Sequence, residues 1–170
     1  MASLMEELLS TMESEKEQYL RLIDLSDDKK DSIIHGKPEV LESISAVEQE
    51  IGDRLKELEH KRVGILKDMA IVTGHDGETI TVSWMIDNLS GQPAEQEALS
   101  KARNELIEVA GKLQFLNEQN QILLKQAMDM VEFDLTLFKS LKQAPETANY
   151  NRKAYNTGDI LGSSGFDAKQ

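Results

Sequence analysis

Residues 38–73 read PEVLESISAVEQEIGDRLKELEHKRVGILKDMAIVT. Ile44, Ile51, Leu58, Ile65 and Val72 recur in this stretch every seven residues without a miss. Leu41, Leu55 and Met69 run beside them, and Glu48 and Arg62 interrupt that second line. A sevenfold apolar repeat is the seam of a helix that packs lengthwise on other helices. Pro38 suits the first turn, where its missing N–H is not needed, and Thr73-Gly74 ends the helix.

The same spacing extends outward in both directions. Before it, to about Ile34, Met5, Met12, Tyr19 and Ile33 share one stripe with Ser26 as its gap. Leu8, Leu9, Leu22 and Ile23 fill the neighbouring stripe, and His35-Gly36-Lys37-Pro38 breaks the helix. After it, His75-Asp76-Gly77 marks a turn. Residues 79–84, TITVSW, alternate like a strand but have no partner strand. A short helix capped by Thr79 or Thr81 and running to about Leu89 is therefore predicted. It would lay Val82, Met85, Ile86 and Leu89 on the bundle, with Trp84 as a packing plug.

Residues 94–142 form a third long helix. Leu99, Leu106 and Leu113 are followed on their stripe by Asn120, Ala127, Asp134 and Leu141. Ala102, Val109, Leu116, Leu123, Met130 and Leu137 make the other stripe. Long helices with short joints pack antiparallel. The expected fold is all-α: an antiparallel three-helix coiled-coil-like bundle with one short extra helix over residues 1–142. Residues 143–170 lose the helical period and are rich in Asn, Gly, Ser and Ala, so a flexible C-terminal tail is expected. The tail still carries Tyr150, Tyr155, Ile160, Leu161 and Phe166, either for a partner or to dock on the bundle.

Composition narrows the function. The 170 residues carry 19 Lys+Arg against 31 Asp+Glu, a net charge of −12. Such a chain repels phosphate, which argues against nucleic acid, and it lacks the basic patch that anionic lipid attracts. No apolar run approaches the roughly 18 residues of a membrane span, so stable membrane insertion is not expected. MASLMEELLS is acidic, the reverse of a secretory signal, and predicts a cytoplasmic protein. The acidity is uneven. Residues 1–36 hold 4 basic and 9 acidic groups, residues 74–93 hold 0 and 3, and residues 143–170 hold 3 and 3.

The sequence offers little chemistry. With no cysteine there is no disulfide or cysteine-based zinc site. Glu57-Leu58-Glu59-His60 spells the Glu-x-x-His of di-iron bundles, but there is no second copy. A charged surface turn beside Lys61 and Arg62 accounts for it. The same neighbours are the sole support for His60 as a phosphotransfer residue. Asp24, Asp27, Asp28 and Asp31 lack the glycine and last glutamate of a calcium loop and read as a solvated face. There is no phosphate loop and no nucleophile elbow. The expectation is a non-enzyme without metal or cofactor.

One stretch has more apolar surface than a bundle needs. Between Ile122 and Leu141, 12 of 20 residues are apolar, against about three in seven for a helix packed on one side. Leu124, Val131 and Phe138 add a third stripe, and Met128 and Leu135 a fourth. At ~1.5 Å per residue the first two helices span about 50 and 55 Å and the third about 70 Å. If the excess lies at the C-terminal end, residues near 128–142 are uncovered and form a binding surface. If the third helix is central, its neighbours cover it. Asn120 interrupts a seam, where a buried Asn sets register, and Asn117 reads equally well as surface.

The run Leu113-Gln-Phe-Leu-Asn117-Glu-Gln-Asn120-Gln-Ile-Leu123-Leu124 resembles the Asn-x-x-Asn-x-x-Leu-Leu signature in the last helix of the FlgN family of flagellar export chaperones. A first helix rich in Glu and Leu, a Gly-x-Pro-Glu joint, a small helix after the second and a Tyr-containing tail agree with it. The resemblance implies a cytoplasmic, non-enzymatic chaperone. It would hold the amphipathic terminal helices of the hook–filament junction proteins FlgK and FlgL and deliver them to the flagellar export apparatus. It places Met128, Val131, Leu135 and Phe138, beside Leu124, as contacts, with Tyr150 and Tyr155 as looser candidates for client or export gate. The alternative is a generic coiled-coil scaffold that self-assembles.

Overall fold

The computed structural model describes the backbone of residues 2–164 and the side chains of residues 2–142. The chain runs α1 (Ala2–Ile34), α2 (Pro38–Val72), α3 (Val82–Asn88) and α4 (Pro93–Ser164). Two compact units divide it, Met1–Leu124 and Lys125–Gln170.

Two glycines reverse the chain in the same way. Gly36 has φ 61° and Gly74 has φ 80°, values that cost an L side chain strain. After α1, the N–H of Lys37 donates to the Ser32 carbonyl at 2.9 Å and that of Gly36 to Ile33 at 3.3 Å. After α2, the N–H of His75 donates to Ala70 at 2.8 Å and that of Gly74 to Ile71 at 3.2 Å. Both are Schellman closures, which pair the last carbonyls of a helix as the chain leaves it. Pro38 then opens α2. The short helix forms as expected: the Thr81 hydroxyl accepts from the Trp84 N–H at 3.1 Å. Val82, Met85 and Leu89 are buried, and Trp84 and Ile86 pack against the same cluster.

Within residues 1–124 the long helices run up, down and up. Pairs between α1 and α2 fall in opposite order along the chain: Glu15 with Arg62, Lys29 with Glu48. Pairs between α1 and α4 fall in the same order: Lys16 with Glu105, Ser26 with Asn120. The main core joins Met5, Leu8 and Met12 of α1, Ile65, Leu66, Met69 and Ala70 of α2, α3, and Leu99 of α4. Ile80 from the preceding loop is also buried there, although the short-helix reading did not include it.

One seam position departs from the reading. Ile44, Ile51, Leu58 and Ile65 are buried, but Val72 is 57% exposed, and Leu66, Met69 and Ala70 take the inner face instead. A straight α-helix drifts about 20° per heptad against a strict seven-residue repeat. Four heptads from Ile44 therefore carry Val72 about 80° off the seam. The helical backbone of α4 runs on past residue 142 to Ser164. The expected tail, residues 143–170, lies outside the described side chains.

The polar gaps in the stripes pair with one another. Arg62, an interruption in α2, donates through Nε to both Glu15 carboxylate oxygens at 3.1 and 3.0 Å. Glu48, the other interruption, accepts from Lys29 Nζ at 3.0 Å. Burial outweighs Arg62 at Glu15, whose side chain is 4% exposed, and holds its carboxyl above the usual range. By contrast the hydrogen bond from Lys16 holds the exposed Glu105 carboxyl below it. Arg62→Ala leaves a buried carboxylate unpaired and should cost about 3–5 kcal/mol in urea unfolding. The raised Glu15 pKa sets the sign with pH. Its stabilisation is present below the unfolded value and lost as pH rises through the folded value, so the variant should lose more stability at pH 7 than near pH 4.5. Met69→Ala, at a fully buried position, should cost about 2–5 kcal/mol independently of pH.

Candidate functional site

The signature residues Asn117, Asn120 and Leu124 meet in the first unit. They line one side of a recess of about 320 Å³ with Leu113 and Gln121, opposite Leu22, Lys29 and Glu48. Asn120 is 4% exposed, and its Nδ2 donates to both the Ser26 carbonyl and Ser26 Oγ at 3.0 Å. The gap in the α1 stripe thus receives the gap in the α4 stripe, which is how a buried Asn sets register. Asn117, three residues back, is exposed at the rim. Leu124, the last residue of this unit, is 36% exposed.

The second unit is apolar in a different manner. Met128, Val131, Leu135 and Phe138 are spaced by 3, 4 and 3 residues and fall within about 80° of one helix face. Their exposures are 65%, 58%, 55% and 57%. Met130, Phe133, Leu137 and Leu141 form a second line and are also exposed. Lys125, Asp129, Glu132, Thr136 and Lys139 occupy the remaining stripe. Side chains from Met128 to Lys142 are all exposed among the described residues. Lys142 Nζ stands 4.9 Å from the centre of the Phe138 ring. Tyr150 and Tyr155 lie outside the described side chains.

The sequence reading passed over one further apolar recess, of about 560 Å³, in the first unit. Val63, Leu66 and Ile71 of α2 form one wall, and residues 76–83 form the other. Val63 and Ile71 lie off both α2 stripes and are more than half exposed. Their spacing beside the seam was the available signal. His75 Nδ1 is buried without a hydrogen-bond partner, and its ring meets Trp84 edge-on at 4.7 Å. No group of His, Asp or Glu suited to a metal ion occurs among the described residues.

These features define a helical-bundle protein with a run of exposed apolar side chains at residues 128–141 of its last helix. The chain belongs to the FlgN family: the family described as FlgN protein matches residues 1–158. Membership supports a role as a flagellar export chaperone. Comparisons with curated proteins and with solved structures return no match. No helix among the described residues is long and apolar enough to cross a membrane.

If Asn120 serves register, removing the pair should leave stability but lose uniqueness. The double variant Ser26→Ala, Asn120→Leu should unfold within about 1 kcal/mol of the parent, since a well-packed apolar replacement for a buried polar pair is often neutral. Its amide NMR spectrum should show added or broadened signals for α1 and α4. A single sharp set would refute the register role.

Proposed function

We propose that this protein binds the amphipathic terminal helices of the hook–filament junction proteins FlgK and FlgL in the cytoplasm, prevents their premature assembly and delivers them to the export apparatus. The observation that carries this reading is the open apolar face of residues 128–141. Contiguous exposed apolar surface on a soluble chain marks a binding site, and an amphipathic helix is the partner that lays a matching stripe along it. Met128 and Met130 suit this use because an unbranched thioether repacks around different side chains. Met128, Val131, Leu135 and Phe138 form the contact line, with Leu124 beside it. Tyr150 and Tyr155 are assigned to the client or the export gate. The work requires no catalytic residue and no cofactor, since the face acts by covering apolar surface. The net charge of −12 keeps the unloaded chain dispersed.

Replacing Val131 and Phe138 together by Asp should abolish co-purification of the junction proteins. Both side chains are more than half exposed, so the circular-dichroism helix signal should stay within error of the parent. Retained client binding would refute the assignment. A parent chain that sediments as a stable oligomer without client would favour a self-assembling scaffold.

A further inference from the structure

One carboxylate lies within the open apolar surface. Asp134 falls between the line of Met128, Val131, Leu135 and Phe138 and the line of Met130, Phe133, Leu137 and Leu141. On a helix its nearest lateral neighbours are three and four residues away, about 5–6 Å between Cβ atoms. Those neighbours are Met130, Val131, Leu137 and Phe138, all apolar and each about half exposed or more. The polar stripe, with Lys125 and Lys139, lies on the opposite side of the helix. Asp134 has no ion pair among the described residues.

In the free protein this arrangement costs little, because water solvates the carboxylate. The situation changes when a partner covers the face. Any helix that buries Met130, Val131, Leu137 and Phe138 also removes water from the carboxylate they surround. A desolvated charge without a counter-charge is expensive, and among the described residues no cation pairs with Asp134: Lys142, the nearest along this side, holds its Nζ over the Phe138 ring. The partner must provide the counter-charge. Resting on the client-binding reading above, we infer that Asp134 is a specificity residue that selects client helices with a lysine or arginine within their apolar face. The charge complementarity argues against a second copy as the occupant when the two faces align at residue 134, because that places carboxylate against carboxylate.

The test uses the full chain and three synthetic amphipathic helical peptides, identical except for lysine, leucine or glutamate at the centre of the apolar face. The parent should bind the lysine peptide at least about tenfold more tightly than the leucine peptide, the lower range of coupling for close charge pairs at interfaces. The glutamate peptide should bind weakest. Asp134→Asn should reduce the lysine preference to within about twofold. Asp129→Asn makes the same change in net charge on the polar stripe and should leave the preference intact. Equal loss in both variants assigns the preference to long-range charge and overturns the inference. Equal binding of lysine and leucine peptides by the parent overturns it too, while leaving the client-binding face in place. Binding of none of the peptides overturns both. A stable dimer that peptides cannot displace identifies a second copy as the occupant and overturns the inference.

Discussion

The bundle depends on matching its polar gaps. Three apolar surfaces packed lengthwise would tolerate sliding by a heptad, since every seventh position is alike. Sliding is blocked because the gaps are not alike. Asn120 meets Ser26, Arg62 meets Glu15 and Glu48 meets Lys29. A shift in either direction would bury Asn120 against hydrocarbon and strip Glu15 of its cation. These contacts add little net stability, since desolvation consumes most of the attraction, and burial indeed wins at Glu15. Their contribution is uniqueness, and stability comes from the cluster around Leu8, Met69 and Leu99, each fully buried.

The same logic separates the two units of α4. Up to Leu124, this helix buries Leu99 and Leu113 and pairs Asn120 with Ser26, while Ile107, Phe115 and Ile122 are exposed. Beyond it the apolar residues are more numerous, and the described side chains from Met128 onward are all exposed. An apolar stripe of this kind is what a surface that receives an amphipathic helix is made of. Asp134 forms no ion pair among the described residues, whereas the first unit's gaps pair with one another; under the proposed reading this is the difference between a gap that sets register and one that selects a client.

Much of this was legible before any coordinates. The repeat at Ile44, Ile51, Leu58 and Ile65, the stop at Gly36 and the cap at Thr81 read directly, because helical period and terminal chemistry are local properties. The role of Val72 was not legible, since the drift of a straight helix against a seven-residue count accumulates over its whole length. At the site, the surplus of residues 122–141 was visible as composition, but its exposure was left open between two readings, because burial is a tertiary property that helical period does not carry. The recess between α2 and residues 76–83 was hidden for the same reason.

The two Schellman closures and the order of the elements also govern how this chain emerges during synthesis. Each closure is completed within six residues, so α1 and α2 can fold back on each other as soon as both have left the ribosome. Leu99 and Asn120 arrive next and complete the core and its register. Residues 128–141 arrive after everything that could bury them wrongly has been committed elsewhere. At about 5–20 residues per second the interval from Asn120 to Leu141 is a second or a few, long compared with the microsecond-to-millisecond folding of helical bundles. A sticky helix made first would have competed for the seam of α2. Made last, it emerges after the seam of α2 has been taken, and vectorial synthesis removes that competition.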